Sequence, residues 1–333
     1  MDVEHLLVKL LEISASPFDL EKTLDSGQVF HWQKIGHGFI GTIGDRAIYL
    51  EHHRNGLRVG DDEAPSVRAG LALARETRAL PRIVTNYFAL DHPLKKICAS
   101  LPRDPVMNAA KDFCRGLRII RQPKWECLAT FICSSMKQVA HIRQISRALR
   151  KRFGEQRSIA GLPVHTFPSA KRLAASSEEE LRLCALGYRA KNLLATARLV
   201  ADGRVDLEGL AALSDESVRE HLCALPGVGA KVANCVMLFA YERLRAFPVD
   251  VWIERVLAEN YFPRSQKLNA RRLRAFTEGY FGVYGGYAQQ YLFHYARKTG
   301  GRRIVGADDK GTPIGQAQGR LRGSLHDKGS RVA

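Results

Sequence analysis

Apolar and polar positions first succeed one another at short range along this chain and later settle into a helical period. Gly38-Phe39-Ile40-Gly41-Thr42-Ile43-Gly44 and Arg46-Ala47-Ile48-Tyr49-Leu50 read as strands separated by a turn signal. A helical stretch follows near Ser66 to Thr77. From about residue 106 the pattern becomes a succession of amphipathic helices, interrupted by Gly154, Gly161-Leu162-Pro163, Pro168, Gly203, Pro226 and Pro248. Beyond about Gly300 large apolar residues are scarce, so that segment cannot offset its ordering entropy and is expected to be disordered. The pattern therefore predicts an α+β protein: an N-terminal antiparallel-sheet domain over 1–105, an all-α domain over 106–300 and a basic tail over 301–333. No internal repeat is visible.

Composition narrows the partners. The chain carries 51 Lys+Arg against 34 Asp+Glu, a formal net charge of +17, which favours a polyanion through counterion release. Ribosomal-type, membrane-surface and merely soluble basic proteins share that balance. With 333 residues and 45% hydrophobic content there is material for roughly two domains. The longest apolar runs, such as Val236 to Tyr241, fall far short of the roughly 20 residues that span a bilayer. Met1-Asp2-Val3-Glu4 is acidic and lacks a signal-peptide pattern. Seven cysteines at irregular spacings suit reduced, buried thiols better than a disulfide framework. The expected setting is intracellular: cytoplasm or nucleoid in a bacterium, nucleus in a eukaryote.

The candidate chemistry centres on Leu225-Pro226-Gly227-Val228-Gly229, with Lys231 just beyond it and Asp250 a further 19 residues on. Two glycines let successive amide N–H groups turn toward a phosphate. Lys231 falls in the first turn of the helix that follows, where the helix dipole and any burial disfavour an ammonium; a neutral lysine amine can attack carbon. Lys231 and Cys235 are four apart and share a helix face, as do Gln289 and Phe293 on a helix expected over about 286–298. Were those faces to meet, they would enclose an amine, a thiol, an amide and a ring, a set suited to a purine. Each residue also has a plainer reading. Cys235 and Phe293 serve equally as core, Gln289 as a solvated amide, Lys231 as a phosphate contact in a non-catalytic clamp, and Asp250 as the N-cap of the run Val251 to Leu257.

Taken together, the motifs resemble those of the helix-hairpin-helix DNA glycosylase superfamily and, more narrowly, of the 8-oxoguanine DNA glycosylase/AP lyases. The resemblance rests on Ser26-Gly27-Gln28-Val29-Phe30-His31-Trp32, Glu126-Cys127-Leu128, Phe131-Ile132-Cys133-Ser134-Ser135, Leu186-Gly187-Tyr188-Arg189-Ala190, Lys231-Val232-Ala233-Asn234-Cys235, Pro248-Val249-Asp250 and Tyr287-Ala288-Gln289-Gln290-Tyr291-Leu292-Phe293. It implies that the helical domain is a helix-hairpin-helix glycosylase domain. It further implies that Lys231 attacks C1′ and forms a Schiff base through which β-elimination nicks the strand, with Asp250 supporting the oxocarbenium-like charge. The Gly27 carbonyl would accept the N7 hydrogen that separates 8-oxoguanine from guanine, Cys235 and Phe293 would sandwich the flipped base, and Gln289 would read its pairing edge. Tyr188 would wedge into the duplex, and Gly227, Val228 and Gly229 would meet phosphates. The implied partner is double-stranded DNA containing oxidised guanine, bound by a monomer without membrane contact and with no cofactor or catalytic metal.

Departures from the family pattern concern the base opposite the lesion. Where the pattern has an asparagine and an arginine this chain has Met136 and His141, and only Arg189 matches. Methionine cannot donate to a base edge and histidine is shorter than arginine, so relaxed discrimination at the opposite base is expected. Trp252 stands where the eukaryotic pattern has a phosphate-contacting histidine. No cysteine follows Cys235, which excludes the four-cysteine iron-sulfur loop of the endonuclease III-like branch. The alternatives are a glycosylase for other damaged or alkylated purines and a non-catalytic helix-hairpin-helix DNA-binding module.

Overall fold

The structure, a computed structural model, describes residues 10–54, 56–61, 70–262 and 269–300, the side chains of 70–78 excepted. The described residues form two compact units, one from those within 10–94 with 116–246 and the other from 95–115 with those within 247–300. The sequence division near residue 105 follows chain order, whereas these units interleave along it. The predicted tail over 301–333 lies outside the described residues.

The first unit begins with five strands: β1 (Leu11–Ser14), β2 (Gln33–Ile35), β3 (Gly38–Ile43), β4 (Arg46–His53) and β5 (Gly56–Asp61). They form one sheet in the order β1-β5-β4-β3-β2, antiparallel throughout. Both strands expected from the pattern are present, and β4 runs on past Leu50 to His53. Alternation along β4 sends Ile48 and Leu50 to one face and Ala47 and Tyr49 to the other. The first face packs on Leu80, Val84, Tyr87 and Phe88, at and just beyond the end of the helix Gly70–Tyr87. That helix is the one expected near Ser66 to Thr77, displaced toward the C-terminus; residues 66–69 are not among those described.

The second face of the sheet is covered by a feature that the pattern does not announce. Within the stretch read as all-helical, β6 (Gln156–Ile159) and β7 (Leu162–His165) form an antiparallel hairpin. Ala160 and Gly161 both take positive φ (51° and 74°), the geometry of a two-residue hairpin turn. Gly161-Leu162-Pro163, read from sequence as a helix breaker, is thus a turn running into a strand. A two-stranded ribbon offers each strand a free edge, so Pro163 is tolerated. Ile159, Ala160 and Val164 pack against Ile40, Ala47 and Tyr49 of the sheet.

The helix Lys124–Cys133 is buried on every side from Cys127 to Cys133, as a helix at the centre of a core must be. It packs against the helix Ala230–Ala240, and the rings of Phe131 and Phe239 stack at 5.5 Å with 14° between their planes. Near its first turn lies a buried ionic network. Arg150 binds the Glu126 carboxylate and also donates to Thr42 Oγ1 (2.9 Å) and the His165 carbonyl (3.1 Å). His31 Nε2 donates to the Thr42 carbonyl at 2.9 Å, which fixes the neutral tautomer. Burial, reinforced by Arg150, holds the imidazole well below its ordinary pKa although a Glu126 oxygen lies 3.7 Å from Nδ1. Burial also pushes the Glu126 carboxyl up, against the pull of Arg150.

The second unit is helical, with Pro105–Phe113, Val251–Asn260, Ala270–Phe281 and Gly285–Thr299 as its main helices. Asp104 caps the first of these through the Met107 amide (2.8 Å) and accepts the hydroxyls of Tyr261 (3.1 Å) and Tyr280 (2.9 Å). A capping carboxylate here also ties three chain segments together. All seven cysteines are free; five are buried, Cys98 is partly covered and Cys223 is exposed. Among the described residues no helix is long and apolar enough to cross a membrane.

Candidate active site

The hairpin before Lys231 is built from two glycines with different jobs. Gly227 sits at φ +80°, and a Cβ there would lie 2.8 Å from the Asn192 Cβ, so the position demands glycine on two counts. Gly229 is extended backbone, with open space where a side chain would go, and serves as the N-cap residue of Ala230–Ala240. The sequence reading granted both glycines the same role; only Gly227 needs its conformational freedom. Leu225 and Val228 plug the hairpin into the core, and Thr196 Oγ1 donates to the Pro226 carbonyl at 3.0 Å. No side chain caps the new helix, so its first-turn amides face outward beside the exposed Gly229 and Ala230.

Lys231 is half-buried rather than enclosed. Its Nζ donates to Ser134 Oγ at 3.1 Å and lies 5.3 Å from the centre of the Phe131 ring. Ser134 in turn donates to the Phe131 carbonyl (2.7 Å), which fixes its hydroxyl as an acceptor for the amine. The Phe131 ring therefore contacts Phe239 on one side and the lysine tip on another, and it meets Phe30 edge-on at 6.2 Å. Spacing alone could not assign Ser134 and Phe131 to Lys231, since about a hundred residues of chain separate them.

The same turn continues outward from Ser134. Arg189 donates from Nε to the Ser135 carbonyl at 2.8 Å, again from a terminal nitrogen, and to the Leu186 carbonyl at 3.3 Å. Its guanidinium lies 4.3 Å from the centre of the Tyr188 ring, and Tyr188 directs its hydroxyl toward Met136 Sδ at 3.8 Å. Tyr188 is 57% exposed and Met136 92% exposed. His141 is exposed as well, near the start of the helix Val139–Phe153. A continuous chain of contacts thus runs from Lys231 through Ser134, Ser135 and Arg189 to Tyr188 and Met136, all in the first unit.

Gly27 belongs to this unit too, at φ +85° in the turn after the helix Leu20–Asp25. Its neighbours are locked. Gln28 Nε2 donates to Ser26 Oγ (2.8 Å) and the Arg118 carbonyl (2.7 Å), while Gln28 Oε1 accepts from the Ile120 amide (2.8 Å). The Gln28 carbonyl accepts from Gln122 at 2.9 Å, and Arg143 binds Asp25 at 2.6 Å. A backbone carbonyl flanked in this way cannot rotate freely. Cys235, one turn beyond Lys231, is buried.

The remaining candidates are in the second unit. Asp250 caps Val251–Asn260, its Oδ1 accepting from the Ile253 amide at 2.9 Å, as the sequence reading expected. Trp252 is partly covered, with Arg255 5.7 Å from its ring. Gln289 and Phe293 are one turn apart on Gly285–Thr299, with the Arg297 guanidinium 6.0 Å from the Phe293 ring. Gln289 is 5% exposed and its Oε1 has no hydrogen-bond partner among the described residues. Its burial sets aside the reading of Gln289 as a solvated surface amide.

Comparison with known proteins agrees with this anatomy. Residues 10–128 match the family described as 8-oxoguanine DNA glycosylase, N-terminal domain, and residues 129–279 match the HhH-GPD superfamily of base excision DNA repair proteins. The chain is 31% identical over 295 residues to the N-glycosylase/DNA lyase OGG1 of Arabidopsis thaliana, covering 85% of this chain and 78% of that one. It is 30% identical over 284 residues to the N-glycosylase/DNA lyase of Saccharomyces cerevisiae, covering 79% and 74%. Among solved structures, the 8-oxoguanine glycosylase/lyase of Clostridium acetobutylicum in complex with double-stranded DNA superposes with a TM-score of 0.76 at 27% identity, over 88% of this chain and 99% of that one. With its five-stranded N-terminal sheet, its hairpin and Lys231 at the head of the helix that follows, the chain belongs to the 8-oxoguanine DNA glycosylase/DNA lyase family of the helix-hairpin-helix superfamily.

Proposed function

We propose that this protein excises 8-oxoguanine from duplex DNA with Lys231 as the nucleophile and then cleaves the strand at the abasic site. The observation that carries the assignment is the placement of the Lys231 amine at the open start of its helix, half-buried and oriented by Ser134 Oγ and the Phe131 ring. Attack of Nζ on C1′ forms the carbon–nitrogen bond as the bond to the base breaks, and the base leaves with the electron pair. The resulting Schiff base acidifies the neighbouring C2′ hydrogen, and β-elimination expels the 3′ phosphate. Asp250 supports the positive charge that develops on the sugar. The Gly27 carbonyl accepts the N7 hydrogen of 8-oxoguanine, and normal guanine, with an acceptor at N7, is refused. Cys235 and Phe293 cover the faces of the base, and Gln289, with its unpartnered oxygen, takes the donors of the pairing edge.

Across the helix, the reading extends to weak selection of the opposite base. Met136 has no donor, His141 is short, and the Arg189 guanidinium is engaged by the Ser135 and Leu186 carbonyls. Tyr188 is the wedge, and the hairpin amides with Gly227, Val228 and Gly229 hold phosphate; Trp252 contributes an indole N–H to the same backbone.

Borohydride trapping tests the reading. The native protein should form a covalent adduct with a duplex containing 8-oxoguanine and release the free base, and Lys231→Gln should form none. A protein that binds the duplex but neither traps nor releases a base would be a clamp, not a glycosylase. Excision rates with C, A, G or T opposite the lesion should differ by less than about tenfold, and a strong preference for C would refute the opposite-base reading.

A further inference from the structure

We propose that Met136 is a peroxide-sensitive modification site, at which conversion to methionine sulfoxide reversibly weakens the grip on DNA. The proposal rests on the reading above that Tyr188 and Met136 face the duplex. Four methionines occur in the sequence: Met1, Met107, Met136 and Met237. Met107 and Met237 are sealed in the core, 0% and 1% exposed, whereas Met136 is 92% exposed. Met1 lies outside the described residues.

Exposure of Met136 is built into the turn. The residue has φ +53°, a left-handed conformation that a side chain bearing Cβ disfavours and that is held when the surroundings over-determine it. Here the surroundings are the Lys137 amide bond to the Ser134 carbonyl (3.2 Å) and the two Arg189 contacts on Ser135. The thioether is therefore presented to solvent with the Tyr188 hydroxyl beside it. A strained, exposed, apolar side chain next to an exposed aromatic ring makes sense as a surface that is covered only when DNA is bound.

The chemistry is a two-electron oxidation by hydrogen peroxide. A sulfur lone pair attacks one peroxide oxygen, the O–O bond breaks as the S–O bond forms, and the departing hydroxide takes the remaining proton to give water. Sulfur is oxidised and peroxide reduced, with no further reactant. The product replaces an apolar tip by a strong dipole whose oxygen accepts the Tyr188 hydroxyl far better than the thioether does. Tyr188 and the oxidised Met136 are then tied to each other and hydrated, which weakens the contact of both with the duplex.

The test exposes the full-length protein to dilute hydrogen peroxide, maps oxidised peptides by mass spectrometry and measures binding to a duplex containing 8-oxoguanine. Met136 should gain oxygen before Met107 and Met237, affinity should fall about fivefold, and methionine sulfoxide reductase should restore it where a thiol reductant does not. In Met136→Leu, the ratio of treated to untreated affinity should stay near one. Equal loss in that variant, recovery with thiol reductant alone, or a fully oxidised Met136 with unchanged affinity would each overturn the proposal. An untreated protein that neither binds nor cuts the duplex would instead overturn the glycosylase reading, and the proposal with it.

Discussion

The two ends of the helix Lys124–Cys133 put polar groups to opposite uses. Near its start, Glu126 is closed into a fully protein-made network with Arg150, Thr42 and His31. Just past its end, Ser134 holds the Lys231 amine while Tyr188 and Met136 stand in solvent. In the first region the Glu126 carboxylate and two Arg150 nitrogens are engaged by protein groups, leaving only Arg150 Nε without a hydrogen bond among the described residues. In the second, the Lys231 amine is half-buried against the buried Ser134 hydroxyl, while the Tyr188 ring and the Met136 thioether are left exposed. Burial decides which: a charge in the core must be paired, while one at the rim remains available to a ligand.

Breaking the first region should cost the most stability. Glu126→Ala leaves Arg150 buried without its carboxylate and should destabilise the protein by about 3 kcal/mol in denaturant titration, with excision per folded molecule largely kept. If activity fell while stability held, the division between the two ends would be wrong. Next in size, Gly227→Ala should cost about 1–3 kcal/mol because of its φ and the Asn192 contact, whereas Gly229→Ala should stay within about 0.5 kcal/mol. Equal effects at the two glycines would contradict the geometry of the hairpin.

Acid should weaken the protein through the same buried network. His31 is held neutral in the folded state, its pKa depressed well below 6.5, while the unfolded imidazole takes up a proton near that value. The unfolded state therefore binds more protons as pH falls, and stability present above 6.5 declines below it. The melting temperature should drop between about pH 7.5 and about pH 5.5, and His31→Gln should flatten that slope. The smallest effect belongs to the second region. Ser134→Ala removes one hydrogen bond to Lys231 and should slow single-turnover excision about threefold, leaving the melting temperature within about 2 °C. A large thermal shift without a kinetic one would make Ser134 a packing residue only.

Much of the local geometry at the candidate site was legible because it depends on near neighbours in the chain. Asp250 stands directly before an apolar-periodic run and caps it as its position requires. Lys231 with Cys235, and Gln289 with Phe293, are one helical turn apart, so each pair shares a face whatever the rest of the fold does. The hairpin β6–β7 escaped notice because Gly161 and Pro163 punctuate helices and tight turns alike, and only the sheet face it covers distinguishes them. Likewise Gly229 and Gly227 are identical letters, separable only by φ.

What the amino-acid order determined on its own was the set of short-range geometries: helix faces, caps, the strand alternation of β3 and β4, and a hairpin presenting Lys231 at a helix start. The partner of each of these was decided by tertiary packing. Ser134 meets Lys231, Arg150 meets Glu126 and Gln28 spans to Arg118 across separations over which periodicity carries no information. Such pairs form because the core brings buried polar groups within reach of one another and leaves them no water to bind instead.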